Sequence, residues 1–93
     1  MIKGKTSSGF EYEVDERIIK DWRFAKALAK LSGEPLDKMS ATIDIASMLL
    51  NNGQEESLMK HVEMDGFVDS GKMEHEIVEI INGLKQDNEE IKN

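Results

Sequence analysis

The chain has no cysteine, one proline and five aromatic side chains among its 93 residues. Without cysteine, neither a disulfide framework nor a thiolate metal site can form, and the sequence is indifferent to redox compartment. No apolar run approaches the length of a membrane span, and the opening MIKGKTSSGF lacks the apolar core of a signal peptide. We therefore expect a cytoplasmic protein with no membrane partner.

What is present indicates one folded domain. The composition is 39% hydrophobic and 33% charged, which is typical of a folded, helix-rich globular protein rather than a disordered one. At this length a single core gives only modest stability, so contacts with copies or partners are a realistic supplement.

Charge is distributed unevenly along the chain. Residues 1–31 carry a net charge of +2 and residues 32–93 a net charge of −9, which gives −7 in total. A net-acidic chain without a basic stripe interleaved with aromatics repels phosphates, so we expect no nucleic-acid partner. The asymmetry favours a basic partner or head-to-tail contact between copies. A solvated acidic surface that aids solubility is the alternative.

The N-terminal region predicts β-structure. The segment GFEYEV, residues 9–14, alternates apolar with acidic side chains, as does a strand with one buried face. Its apolar side chains are Phe10, Tyr12 and Val14. Residues 2–5 are available as a hairpin partner with TSSG as the turn, and a lone strand is the alternative.

Helices are predicted for the rest of the chain. Asp15 is placed to cap a short first turn, and Asp21 to cap the next helix, which ends where Gly33 supplies a left-handed position. Pro35 suits a new helical start, and the DG pair at residues 65–66 indicates a turn. The four helical segments are WRFAKALAKL, KMSATIDIASMLLNN, QEESLMKHVEM and KMEHEIVEIINGL.

The predicted fold class is therefore mainly α. We expect a small helical domain of about four helices with a short N-terminal β-strand or hairpin, covering residues 1–84. Residues 85–93 contain too little apolar side chain to stay docked and are predicted to form a flexible polar tail.

The first two long helices have wide apolar arcs. In the first, the arc spans roughly 220°, about twice what one core-facing side needs. The polar stripes are Arg23, Lys26 and Lys30 in the first helix, and Ser40, Asp44, Ser47 and Asn51 in the second. Such helices leave apolar surface for another chain. Alternatively, both are sandwiched between the N-terminal strand and the last helix with no patch exposed.

No constellation of catalytic or metal-binding residues is recognisable. His61 and His75 have no partner at zinc-site spacing and are predicted to be solvated surface residues. The stretch after Asp65 differs from a calcium loop, because Phe67 and Ser70 stand where that pattern needs a ligand and a glycine. No nucleophile elbow or phosphate-binding glycine loop is present. We expect no enzyme, no cofactor and no metal.

A family resemblance adds to this interpretation. SGFEYEVDERIIKDWRFAKALAKLSGEPL, residues 8–36, is followed by an apolar helix, a shorter amphipathic helix, the DGFV turn and a closing acidic helix. This arrangement resembles the small tail assembly chaperones of long-tailed bacteriophages and related prophages over roughly residues 7–84. The most specific part is Gly9 to Glu16 with Asp21 and Trp22, which is similar to the family opening GFEFEVDE…DDW. Lys20 stands where that opening usually has its first acidic residue.

The resemblance implies a non-catalytic phage protein, made in the host cytoplasm and not retained in the mature virion. Such chaperones bind the long, apolar, helical tape measure protein, keep it soluble, and help recruit major tail tube subunits. Homo-oligomers are also plausible, because helices that grip a client can grip a copy.

Two sets of residues follow from these expectations. The architectural set is Phe10, Tyr12, Val14 and Trp22, with Trp22 anchoring the strand-to-helix junction by burying its large side chain. The predicted client contacts are Phe24, Met48, Leu49, Met59 and Phe67. Methionines suit a surface that accepts an irregular apolar partner, and filling of the core is the alternative role for them.

Two other functions fit the sequence. The charge of −7 is compatible with an acidic mimic of nucleic acid that inhibits a DNA-binding protein, which would bind a basic partner in a salt-sensitive way. A small structural tail-completion protein is the second alternative, and such a protein would stay in the virion.

Overall fold

The computed structural model describes the backbone of residues 1–92 and the side chains of residues 1–85. Within these limits the chain forms two strands, a short 3-10 helix and four α-helices. They are β1 (Ile2–Lys5), β2 (Glu11–Val14), the 3-10 helix (Glu16–Lys20), α1 (Trp22–Lys30), α2 (Pro35–Leu49), α3 (Gln54–Val62) and α4 (Ser70–Lys92). The predicted mainly α fold with a short N-terminal hairpin is confirmed. The predicted flexible tail is residues 85–93. The side chains beyond residue 85 are outside the described part of the chain, so the tail stays a prediction.

The N-terminal strands form the hairpin. β1 and β2 pair antiparallel, with Ile2 opposite Val14. In the turn at residues 6–9, the backbone N–H of Gly9 donates to the carbonyl of Thr6 at 2.9 Å. Gly9 has a φ of +95°, in the left-handed region that favours glycine. TSSG therefore forms the turn that the hairpin prediction required.

Both predicted aspartate caps are present. Asp15 Oδ1 accepts the backbone N–H of Arg17 at 2.9 Å and starts the 3-10 helix, and Asp21 Oδ1 accepts that of Arg23 at 2.8 Å and starts α1. Each arginine also turns its guanidinium back onto the capping carboxylate. The side-chain and backbone hydrogen bonds from Arg17 lower the pKa of Asp15 to about 2, and those from Arg23 lower the pKa of Asp21.

This geometry predicts how Asp15 titrates. In an NMR titration, its carboxyl should show a pKa of about 2 in the native protein, and Arg17→Ala should move that pKa back towards the usual 3.8. Because the folded-state pKa is depressed, the contribution of Asp15 to stability is present above about pH 4 and disappears as the pH falls through 2. An unchanged pKa in the Arg17→Ala variant would contradict the assignment of Arg17 as the cause.

The end of α1 differs from the prediction for Gly33. Positive φ is found at Gly9, Gly53 and Gly66, and Gly33 is not among these glycines. The helix instead closes through short-range bonds, in which the N–H of Leu31 donates to the carbonyl of Leu28 and that of Gly33 to the carbonyl of Lys30. Tightening of the last turn satisfies these carbonyls without a left-handed residue. Pro35 then occupies the first turn of α2, as predicted.

A single core joins the hairpin to all four α-helices. Phe10, Tyr12 and Val14 are buried, so the predicted buried face of residues 9–14 is confirmed, although the strand itself begins at Glu11. The core cluster also contains Phe24 and Ala27 of α1, Ile45, Ala46 and Leu49 of α2, Leu50, Leu58 of α3, and Ile77, Ile80, Ile81 and Leu84 of α4. Leu58 is the one buried residue of α3, so this helix depends on a single side chain for its deepest contact.

The predicted turn between α3 and α4 is present. Asp65 and Gly66 have φ values of +54° and +77°, and the flanking Met64 and Phe67 exchange backbone hydrogen bonds of 2.9 and 3.0 Å. This is the backbone of a tight two-residue hairpin turn. Asp69 Oδ2 then accepts the backbone N–H of Lys72, which caps the start of α4.

Candidate functional site

Apart from Met1 and Val78, the exposed large apolar side chains of the described residues lie in two regions. Trp22 on α1 is 77% exposed, and Leu36 and Ile43 on α2 are 86% and 56% exposed. Met64 and Phe67, at the turn between α3 and α4, are 63% and 64% exposed. Single apolar residues are ordinary on a protein surface, whereas neighbouring ones mark a binding site. The arrangement of these five side chains is therefore informative.

The first region is a turn patch consisting of Val62, Met64 and Phe67. Met64 and Phe67 occupy paired positions across the tight turn, and paired residues of a hairpin project to the same side. Beside them lies a groove of ≈ 410 Å³ lined by Val62, Met64, Asp65, Phe67, Asp69 and Lys72. Because the turn is already closed by two backbone hydrogen bonds, little of it has to be ordered when a partner binds.

The second region is an α1–α2 face that combines apolar and cationic side chains. A groove of ≈ 400 Å³ between the helices is lined by Arg23, Lys26, Ala27, Lys30, Asp44, Ser47 and Met48. Trp22 adjoins the α1 wall, since it lies one helical turn before Lys26, and Ile43 adjoins the α2 wall, one turn before Ser47. Leu36 continues the α2 row, two turns before Ile43. These residues define the α1–α2 face.

The predicted client contacts are only partly at the surface. Phe67 is exposed, and Met48 and Met59 are half-buried, with Met48 lining the α1–α2 groove. Phe24 and Leu49 are 3% and 0% exposed and belong to the core, so their assignment as client contacts is wrong. In a helix with a wide apolar arc, the projection gives angular positions but does not say which part of the arc turns inward.

The architectural role predicted for Trp22 is also wrong in its physical basis. Its side chain is largely exposed, whereas Phe24 and Ala27 are the residues of α1 that are buried. Residues two apart on a helix point to nearly opposite sides, so inward placement of Phe24 directs Trp22 to solvent. The junction between β2 and α1 is held by the Asp15 and Asp21 caps instead.

A polar cluster that the sequence did not predict joins the hairpin turn to α4. Thr6 Oγ1 and Ser8 Oγ each donate to Glu76 Oε1 at 2.8 Å. Ser7 donates its backbone N–H and its hydroxyl to the two oxygens of Glu79, at 3.1 and 3.0 Å. Glu76 is only 4% exposed, and such a buried carboxylate requires hydrogen bonds of this kind. We call this cluster the loop–α4 clamp.

Two histidines, His61 and His75, border the clamp, so we asked whether it is arranged for catalysis or for metal binding. His61 Nε2 lies 3.0 Å from Ser8 Oγ, but the nearby carboxylate of Glu76 contacts the serine itself rather than the second ring nitrogen, where a catalytic triad needs it. His75, Glu76 and Glu79 offer ligand atoms within 4.8 Å of one another, which is close enough for a shared cation. Three of the four carboxylate oxygens already accept hydrogen bonds from the turn. The cluster is therefore explained as a structural clamp.

The surface features described above are the basis on which a function can be proposed for this chain. None of the helices in the described part of the chain is both long enough and apolar enough to cross a bilayer. No protein-family model matches the sequence, and neither a curated protein nor a solved structure shows significant similarity to it.

Proposed function

We propose that this chain is a non-catalytic tail assembly chaperone of a long-tailed bacteriophage or prophage. It binds the tape measure protein, keeps that protein soluble before assembly, and helps recruit tail tube subunits around it. It works in the host cytoplasm and does not remain in the virion. The proposal is supported by the resemblance of residues 7–84 to that family, and the structural observation that carries it is the exposed turn patch.

The turn patch fits a client that exposes apolar helices. Full burial of a Met or Phe side chain contributes about 1.5–3 kcal/mol, so covering Met64 and Phe67 gives a useful part of a binding free energy. Methionine adapts its shape to irregular apolar surfaces, and Phe67 supplies a rigid aromatic contact. Both side chains stand on a preformed turn. The patch is therefore suited to several similar segments of a long, repetitive client.

The acidic surface suits the second part of the role. A client with exposed apolar helices aggregates, and a bound chaperone prevents this only if the complex repels other complexes. The net charge of −7 supplies such repulsion. Asp65 and Asp69 place part of that charge beside the turn patch itself. Coverage of apolar surface and dispersion of the complex thus come from adjacent residues.

Co-expression with the tape measure protein of the same genome tests the proposal. We expect the wild-type chain to raise the soluble fraction of that protein, and the complex to survive high salt, because apolar contacts are not screened. Phe67→Asp should lower co-purification at least tenfold, since it puts a charge in the centre of the contact. Ser57→Asp, at an exposed position of α3, is the matched control and should bind as the wild type does.

The outcomes separate the proposed function from its two rivals. If the tape measure protein still precipitates beside the wild-type chain, the chaperone proposal fails. A complex with a basic DNA-binding protein that forms only at low salt would favour the acidic mimic. Mass spectrometry of purified virions addresses the other rival, because a tail-completion protein stays in the particle and a chaperone does not.

A further inference from the structure

We propose that the α1–α2 face receives an acidic, amphipathic helical segment of the client protein. This proposal rests on the chaperone function and adds the chemistry of the segment that is recognised. Three observations support it. The cations on α1 are available to a partner, the rest of the chain is acidic, and apolar side chains lie on both sides of the cations.

The cations of the face are available to a partner. Arg23 is held in place by Asp21, through bonds of 3.2 Å from Nε and 3.0 Å from Nη2, which leaves further guanidinium donors unused. Lys26 and Lys30 are both exposed, and neither forms an ion pair with any carboxylate whose side chain is described. The three cations line one wall of a single groove. An acidic stripe on a partner helix could meet all three at once.

The acidic charge of the rest of the chain makes the cationic side chains of α1 selective for an acidic segment. Residues 32–93 carry −9, whereas residues 1–31, which include α1, carry +2. An acidic segment is therefore repelled by most of the molecule and attracted to the α1 wall of the groove, which orients it on approach. Asp44 on the opposite wall repels a carboxylate placed on that side. The carboxylates of the partner are thus directed towards α1.

Apolar side chains flank the cationic stripe on both helices. On α1, Trp22, Ala25 and Ala29 lie three and four residues apart and so form one row along the helix, beside Lys26. All three side chains are exposed. On α2, Leu36 and Ile43 form the corresponding row. A helix with a central acidic stripe and apolar residues on either side matches this order. Tryptophan and arginine are also among the residues that most often dominate binding energy at interfaces.

Trp22 reports on this face directly, because it is the only tryptophan of the chain. The probe is a pair of synthetic 18-residue amphipathic helices without tryptophan, which share the same leucines and carry either a Glu stripe or a Lys stripe. Titration of the full chain with the Glu peptide should shift the Trp22 emission to the blue and saturate. The Lys peptide should bind at least tenfold more weakly. Equal binding of the two peptides would overturn the proposal.

Charge reversal on α1 provides the second arm of the test. Lys26→Glu combined with Lys30→Glu should weaken binding of the Glu peptide at least tenfold, and binding by the wild type should weaken as salt is raised. Lys60→Glu combined with Lys85→Glu changes the net charge by the same amount at exposed positions of α3 and α4. This control should retain binding within about twofold. Equal losses in both double variants would show that only net charge matters and would contradict a site on α1.

Failure of this proposal is distinguishable from failure of the chaperone function. If the wild type and the Lys26→Glu/Lys30→Glu variant solubilise the tape measure protein equally well, the function stands and the assignment of the acidic segment is overturned. If the wild type does not solubilise it, the chaperone function itself fails. Sedimentation of the free chain tests a further outcome. If the wild type is an oligomer and the Lys26→Glu/Lys30→Glu variant is a monomer, a second copy and not a client helix covers the face, and the proposal is overturned.

Discussion

Replacement of Leu58 by alanine is expected to destabilise the domain by about 3 kcal/mol, within the range measured for buried leucines in general. Leu58 is fully buried and is the one residue of α3 in the core. Its loss removes apolar burial and leaves a cavity that its neighbours fill only in part. Because α3 packs mainly on α4, its attachment should weaken first.

Urea unfolding and native-state hydrogen exchange measure these two effects. The unfolding midpoint should fall, and exchange should accelerate more in α3 than in α2. Met59→Ala is the matched control, since it shortens a half-buried side chain on the same helix and should have less than half the effect. A loss below about 1 kcal/mol for Leu58→Ala would contradict the role assigned to this side chain.

Gly83→Ala is expected to destabilise the domain by about 1–2 kcal/mol, although alanine is the better helix former. A Cβ at Gly83 would lie 2.6 Å from the hydroxyl oxygen of Tyr12. The ring cannot move away easily, because it is buried and a Cβ at Gly4, on β1, would also overlap it. The two glycines therefore provide the space in which Tyr12 packs between the hairpin and α4. Overlap outweighs the gain of about 1 kcal/mol in helix propensity.

A double-mutant cycle tests this explanation. Tyr12→Phe removes the hydroxyl, and the nearest remaining atom, Cζ, is 3.9 Å from the new Cβ, which is ordinary contact. Gly83→Ala should therefore be neutral or stabilising when it is introduced into the Tyr12→Phe protein. Gly4→Ala should remain destabilising there, because its Cβ also meets ring carbons. Additive free energies for Tyr12→Phe and Gly83→Ala would exclude the proposed overlap.

The parts of the fold that follow from neighbouring residues were predictable from the sequence. Alternation in residues 9–14, the TSSG turn, the two aspartate caps and the DG turn are all specified within a few positions. The prediction of a left-handed residue at Gly33 rests on the same kind of local signal and is wrong. At this point α1 can end either with a left-handed glycine or with a tightened last turn. A tightened last turn satisfied the same carbonyls, and local sequence does not choose between these endings.

The candidate site was predicted less well, because it depends on which side of each helix faces the core. The wide apolar arcs correctly indicate spare apolar surface, but the predictions assign Phe24 and Leu49 to that surface and Trp22 to the interior, whereas the structure shows the reverse. Packing of α1 against α2 settles this choice, and no pattern within one helix contains that information. For a similar reason the sequence does not predict the loop–α4 clamp, because Thr6 and Glu76 are 70 positions apart.

The loop–α4 clamp also constrains when the domain can complete its fold during synthesis. Hydrogen bonds of the hairpin turn reach 68 to 72 positions along the chain, to Glu76 and Glu79. A ribosome that has released the hairpin and the first two helices still holds the residues that fasten the hairpin down. Contacts of such long range form late, because the intervening chain must first be made and closed into a loop. The hairpin and its buried Tyr12 should therefore become protected only after α4 has emerged from the ribosome.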